Sequence, residues 1–310
     1  MQVTTRLHTE APDLTRTFGQ VVASSKSSPA GFHANSTWLT CPEQSRLKSI
    51  GLKRKNDFIG SSDELNALDF GTLIHELCRI RAYYTGGHEL MLTVLEGWRH
   101  EIGETSYMKA LLQMAALQAQ FPLETEPLIF YGVESEVITD LRNGTNDPRP
   151  CLRSVRYDAV VGAYGFSKEH VKVYSLERKT AARSGGLNAY YGQGMTQVVI
   201  WNSNPELVRQ YGRMEGIIFE QHIKTKVPSC ERHIFYVSQS MEKMALEYMR
   251  YSSNGTVQFQ MQPDGTYPKM LHACWGRYRP CDFISICHEG VTGDYTLNGE
   301  EIKRGDIPGF

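Results

Sequence analysis

This chain has no long hydrophobic run: no stretch approaches the roughly 18 to 20 continuous apolar residues that crossing a bilayer requires. It also has no excess of either charge. Its 33 Lys and Arg against 34 Asp and Glu leave a formal net charge of −1. That argues against a uniformly basic nucleic-acid coat, but leaves room for a local basic groove around an acidic site. Local sources of positive charge are Lys53–Arg54–Lys55, Arg178 with Arg183, Lys224 with Lys226, and Arg277 with Arg279. The first residues are polar and lack the apolar core of a secretory signal, so a cytoplasmic location is expected and no membrane is. The Asn-x-Ser/Thr matches at Asn35, Asn143 and Asn254 are then chance events. Internal repeats and a P-loop are both missing. Seven cysteines without short Cys-x2-Cys pairs suit neither a disulfide framework nor most zinc fingers.

What is present is an ordinary globular composition, 41% hydrophobic and 22% charged, over 310 residues. That length fits one large domain or two small ones. Residues 1–35 are rich in Ser, Thr, Gly and Ala and read as a loose tail. A helix is expected over 36–48, with Ser36 as its N-cap. Residues 62–120 form a helical subdomain. Phe70, Leu73, Ile74, Leu77 and Ile80 recur at helical spacing, and Gly86–Gly87 and Gly103 break the run. From 127 the pattern becomes β-branched and alternating, predicting strands over 127–141, 153–164 and 170–180. A helix from Tyr190 to Arg213, strands over 215–224 and 232–240, and a helix from Met241 to Tyr251 follow. This order predicts an α/β fold with a mixed sheet, preceded by helices.

The chemistry concentrates on two strands. Side chains two apart on a strand share a face, so Glu177 and Lys179 lie side by side in VKVYSLERKT. Apolar residues line both faces before them, so the strand is expected to be central, where a Glu and a Lys are poor structural choices. Asp158 stands in the middle of the preceding strand, RYDAVV. Two carboxylates can hold a hard divalent cation such as Mg²⁺ for phosphodiester hydrolysis. A neighbouring Lys can stabilise charge on phosphorus or activate the attacking water. The bland alternative is a buried Glu–Lys ion pair with an unrelated Asp.

RYDAVV followed by VYSLERKT resembles the PD-(D/E)xK nucleases, in particular their RecB-type branch. The proline of the motif's name is replaced by Tyr157. The resemblance implies a restriction-endonuclease-like fold, a central mixed sheet flanked by helices, over residues 36–290, with its catalytic α/β core at 127–253 and a C-terminal tail at 291–310. It makes Asp158 and Glu177 metal ligands and Lys179 the catalytic lysine. DFGTLIHEL resembles the family's Gly-x-x-x-His helix, which makes His75 the third ligand. YGVESEV places Glu134 and Glu136 on one face of the strand before Asp158. The family often has a glutamate there, and Glu134 is the favoured of the two. QVVIW is similar to the family's Gln-x-x-x-Tyr segment, with Trp201 for the Tyr, so Gln197 is expected to position substrate or Lys179; Gln193 is the competing register.

The remaining signal is the distribution of cysteines. Cys41 precedes Pro42 near one end of the chain, and Cys274, Cys281 and Cys287 crowd near the other. Four thiolates suit a [4Fe–4S] cluster or a Zn²⁺ ion. The pattern resembles the iron–sulfur branch of these nucleases, with its CRISPR-associated exonucleases and the AddB nuclease domain. It implies that Cys41, Cys274, Cys281 and Cys287 hold a structural [4Fe–4S] cluster, with Zn²⁺ the alternative metal and His272 a substitute ligand. The whole then implies a Mg²⁺- or Mn²⁺-dependent exonuclease or single-strand nuclease acting on DNA, with recombination or repair proteins as partners. An inactive nucleic-acid-binding scaffold of the same fold is the non-enzymatic alternative.

Overall fold

The structure, a computed structural model, describes residues 3–4, 6–7, 11–24, 42–50, 52–54, 64–142, 151–164, 170–258, 283, 286–287, 295–297, 300–302 and 307. The chain divides into two compact units, Met1–Gly31 with Gly60–Leu246 and Phe32–Ile59 with Glu247–Phe310.

The first unit opens with α1 (Phe18–Ser24) and a layer of three longer helices, α2 (Ala67–Tyr83), α3 (Gly87–Ile102) and α4 (Glu104–Gln120). Asn66 starts α2: its side-chain oxygen accepts from the amides of Leu68 and Asp69, at 2.9 and 3.0 Å. Those amides would otherwise lack partners at the helix start. The expected apolar stripe of α2 is buried against Met91, Leu95 and Trp98 of α3 and Met114 of α4. The described part of residues 1–35 differs from the expected loose tail. Phe18 and Val21 of α1, one helical turn apart, are buried in this core. Trp98 Nε1 donates to the Arg16 carbonyl and the Tyr84 hydroxyl to that of Pro12, both at 2.8 Å. A small-residue composition hid a short amphipathic turn.

The sheet of this unit is five-stranded and mixed, in the order β1 (Leu128–Asp140), β2 (Leu152–Tyr164), β3 (Val171–Ala181), β4 (Met214–Ile223), β5 (Ser229–Tyr236). Every neighbouring pair is antiparallel except β3 and β4. A parallel pair needs a crossover, supplied here by α5 (Tyr191–Asn202) and α6 (Pro205–Tyr211). The sequence predicts one helix over 190–213. It breaks because the Asn204 side chain caps the Leu207 amide at 3.2 Å, with Pro205 starting the next helix. The last strand ends at Tyr236 rather than 240, and the following helix, Gln239–Gln258, extends beyond the expected 241–251 at both ends.

Helices flank both faces of the sheet, as register shows. Ser175 of β3 donates its hydroxyl proton to Gln197 of α5 at 2.7 Å. Arg178, an odd number of residues away, lies on the opposite face and pairs with Glu220 of β4. His222, two beyond Glu220, meets Cys78 of α2 on that face, Sγ to Nε2 3.8 Å. Thus α5 covers one face, and α2 the other.

In the second unit a helix at Pro42–Ser49 overlaps the expected 36–48 and runs one residue past it, while the expected N-cap, Ser36, lies outside the described residues. Strands Leu52–Arg54, Tyr295–Leu297 and Glu300–Glu301 form a small antiparallel sheet. Its core holds Leu47, Leu52, Phe283, Ile286, Tyr295 and Ile307. Among the described residues, no helix is long and apolar enough to cross a membrane.

Candidate active site

The strands shift register at Phe130/Gly132 and at Val173/Tyr174, and alternation fails again at a third place, which carries the acidic residues. The hydroxyl of Tyr157 donates to the carbonyl of Gln197 on α5 at 2.7 Å. Val160 pairs with Ser175, which also faces α5. Residues 157 and 160 cannot share a face on a regular strand, since their separation is odd. The irregularity lies at Asp158. Opposite it on β1, between the pairs Val133↔Ala159 and Ser135↔Tyr157, is Glu134. Glu134 has φ +52°, the one positive φ at a non-glycine among the described residues. A left-handed glutamate costs about 1 to 3 kcal/mol and persists only where its surroundings enforce it.

The break brings three predicted residues together. Ligand atoms of His75, Glu134 and Asp158 lie within 4.8 Å of one another. His75 Nδ1 is 3.5 Å from Asp158 Oδ1. Its Nε2 is 3.1 Å from the carbonyl oxygen of Arg178, which can only accept. That contact assigns the Nε2 proton and leaves Nδ1 facing a carboxylate. Two lone pairs would repel there, so Nδ1 needs a cation beside it, either a proton or a metal ion. Holding the far ring nitrogen on a backbone carbonyl is also how proteins orient a metal-binding imidazole. The other Asp158 oxygen accepts from the Arg178 amide at 2.6 Å. One peptide segment of β3 therefore fixes both His75 and Asp158.

Charge at this site is strongly coupled. Burial alone would lower the pKa of His75, but the Asp158 carboxylate, helped by Glu134, pushes it up to about 9. Burial works against ionising Asp158 too, yet the His75 imidazolium, Lys179 and Arg178 hold it well below the usual carboxylate range. Glu134 is pushed up to about 7, first by burial and then by Asp158. Glu134 also pairs with Arg156 at 3.0 Å, while Glu136 is exposed. Of the two glutamates left open by the sequence, the structure brings Glu134 to His75 and Asp158.

Glu177 is arranged differently from expectation. Its carboxylate, almost fully buried, accepts from Lys179 Nζ at 2.5 Å, Gln193 Nε2 at 2.6 Å and Gln197 Nε2 at 2.7 Å. Both oxygens are engaged, whereas the sequence had placed Glu177 in the metal set with His75 and Asp158. Burial and the nearby Asp158 raise its pKa, against Lys179 and Gln197. Burial would lower the pKa of Lys179, but Glu177 and Asp158 raise it, so its nitrogen is held as an ammonium. The Tyr190 ring lies 4.7 Å from that nitrogen. Both registers of the Gln motif are used, since Gln193 and Gln197 each donate to Glu177. Trp201, one turn beyond Gln197, packs edge-on to Tyr157 at 6.1 Å.

No protein-family model and no curated protein matches this chain.

Three supporting contacts around the site escaped the sequence reading. Tyr157 anchors α5 to β2. Gln221 of β4, paired with Lys179 in register, clamps the loop after β3, exchanging two hydrogen bonds with the Gly185 backbone at 2.9 and 3.0 Å. A polar run such as EQH near the end of a strand carries no signal for such a clamp. The third is the buried group behind Arg178. Glu220 accepts from Arg178 Nε at 3.3 Å and from Arg232 at 2.7 and 2.9 Å, and Arg232 forms a bidentate pair with Glu126. Cys78, Glu220 and His222 are close enough to hold a metal, but two guanidinium groups already satisfy Glu220 and would repel a cation. The group reads as a buried ionic brace.

Of the expected cluster ligands, Cys41, Cys274 and Cys281 lie outside the described residues, as does His272. Cys287 is half-buried beside the core of the second unit, and its amide donates to the Phe283 carbonyl at 2.9 Å.

Proposed function

We propose that this chain is a divalent-metal-dependent nuclease that hydrolyses phosphodiester bonds in DNA. The observation that carries the reading is His75, whose Nε2 is spent on a backbone carbonyl while Nδ1 faces Asp158 with Glu134 beside it. An imidazole and two carboxylates fit Mg²⁺ or Mn²⁺, and His75, Asp158 and Glu134 would hold the ion. Bound there, the ion would supply Lewis-acid stabilisation of a phosphate's developing charge.

The chain's own residues complete the chemistry. Lys179 is charged, so its role is to attract the phosphate and stabilise negative charge, rather than to abstract a proton. Glu177 aims the Lys179 ammonium, and Gln193 and Gln197 fix Glu177 in turn. Ser175 fixes the Gln197 amide by donating to its oxygen. In this reading Glu177 is a positioning residue. The four cysteines Cys41, Cys274, Cys281 and Cys287 would hold a [4Fe–4S] cluster, or Zn²⁺, as a structural staple.

The test is digestion of end-labelled single-stranded and duplex DNA with Mg²⁺ or Mn²⁺, against EDTA and against Lys179→Ala. Metal-dependent cleavage lost in folded Lys179→Ala is the expected result. Cleavage retained by that variant, or absent from the native protein with both metals, would sink the proposal.

A further inference from the structure

A lysine without a carboxylate stands at the carboxyl end of β4. Ligand sites in open α/β sheets favour the carboxyl ends of parallel strands. Ala182 and Lys224, the residues immediately after β3 and β4, line a cavity of about 390 Å³, within the size range of small-ligand sites. Leu65, Phe70, Leu112 and Pro228 give it apolar walls. The Lys224 side chain is half-buried, and its ammonium lies 5.1 Å from the centroid of the Phe70 ring, one of those walls. The nitrogen is thus held at the cavity. Burial first, and then Lys109, pull its pKa below the ordinary value, against a smaller pull from Glu64.

A half-buried ammonium normally finds a carboxylate. The carboxylate that lines this cavity, Glu64, is paired with Lys109, and Lys224 is in no ion pair among the described residues. The Phe70 ring offsets part of the cost by a cation–π contact, but supplies no anionic acceptor. Lys226, exposed and two residues further on, adds to the positive charge at the mouth. Apolar walls with an unmatched ammonium at their edge are complementary to an amphipathic anion. A wholly apolar ligand would leave the ammonium as it is, and a small anion would leave the walls wet.

We propose that this cavity binds a small amphipathic anion, its aliphatic body against Leu65, Leu112 and Pro228 and its carboxylate or phosphate head on Lys224. Such a ligand would bridge α2, α4 and the segments that follow the parallel strands, and would raise the stability of the folded chain by mass action. None of the lining residues is a candidate metal ligand, so the inference stands apart from the nuclease reading.

The test is calorimetry on the full chain with octanoate, octyl phosphate, octan-1-ol and acetate, each below the concentration at which it aggregates. One-site, saturable binding of octanoate or octyl phosphate is expected, the tighter of the two naming the head group. Octan-1-ol, the same body without the charge, should bind about tenfold more weakly, as the loss of one charge-assisted hydrogen bond implies. Acetate, the charge without the body, should not saturate. Lys224→Met keeps most of the apolar stem and drops the charge, so it should bring the anion down to the affinity of the alcohol with circular dichroism unchanged. Leu112→Trp, which fills the cavity from an exposed position, should abolish binding in a folded protein. Equal affinity for anion and alcohol, or anion binding undiminished in Lys224→Met, would reduce the site to an apolar surface and overturn the proposal. Acetate bound as tightly as octanoate would reduce it to surface lysines and overturn it too. So would binding that survives Leu112→Trp, or no saturable binding of either anion.

Discussion

The ionic brace behind the active site makes a quantitative prediction about Glu220. Its carboxylate is almost fully buried and accepts from Arg178, from two nitrogens of Arg232 and from His222, the last at 3.3 Å. Glu220→Gln keeps the shape but removes the charge and turns an NH₂ group toward donors. Arg232 retains its bidentate pair with Glu126. Arg178, 2% exposed and already with a partnerless NH1, is left without a hydrogen-bonded carboxylate. Stranding one buried charge costs about 3 to 5 kcal/mol. For a unit of this size, each kcal/mol lowers Tm by about 2 to 4 °C.

Urea unfolding followed by far-UV circular dichroism should therefore show a large fall in midpoint with an unchanged slope. The double variant Arg178→Met with Glu220→Met should be much less affected than Glu220→Gln, because it leaves no orphaned charge. The pH dependence has a defined sign. Burial opposes ionisation, but His222, Arg178 and Arg232 hold the Glu220 pKa well below its ordinary value. A depressed pKa contributes stability that is present above the unfolded value of about 4.3 and lost as pH falls toward the folded one. Glu220→Gln should accordingly show a flatter acid limb than the native chain. A loss below about 1 kcal/mol, or single and double variants that simply add, would refute the assignment of Arg178 to this brace.

The remaining predictions concern the site and its helices. Glu134→Gln should weaken Mn²⁺ binding, read by calorimetry, at least tenfold, whereas Glu136→Gln on the exposed face should leave it unchanged. Glu134→Gly should lose the metal too, yet raise the stability of the EDTA-treated protein by about 1 kcal/mol, because glycine accepts φ +52° freely. Gly71→Ala should be tolerated or raise Tm, since its Cβ would meet only Thr180 Oγ1 at 3.6 Å and helical alanine gains about 0.5 to 1 kcal/mol. Gly194→Ala should destabilise by about 1 to 3 kcal/mol through overpacking, as its Cβ would fall 2.7 Å from Ile217 Cδ1.

What could be read in the sequence was whatever local periodicity encodes. The stripe of α2 and the β-branched runs around Asp158 and Glu177 specify helix and strand by neighbouring residues alone, and they place the elements within a few residues. The α5–α6 break was also written locally, in Asn204–Pro205, but an unbroken apolar pattern masked it. The partition of carboxylates was out of reach. Glu134 joins His75 through a backbone reversal on a strand, a conformation that depends on Tyr157 and Val133 being fixed elsewhere. Glu177 faces Lys179, Gln193 and Gln197 because α5 crosses that face of the sheet, which sequence spacing does not determine.

Arg178 shows why a site motif and its support cannot be separated. Its neighbours Glu177 and Lys179 attract attention because their side chains carry chemistry. Its own side chain points to the other face of the sheet, into a brace with Glu220. Its amide and carbonyl meanwhile hold Asp158 and His75. A shift of β3 that loosened the brace would therefore move both candidate ligands at once, through the two peptide groups that flank one residue. The buried ion pair need not add net stability to be retained, since apolar residues could pack there as well. What it fixes is the register of β3 against β4, and with it the spacing of an imidazole and a carboxylate that chemistry requires to within a fraction of an ångström.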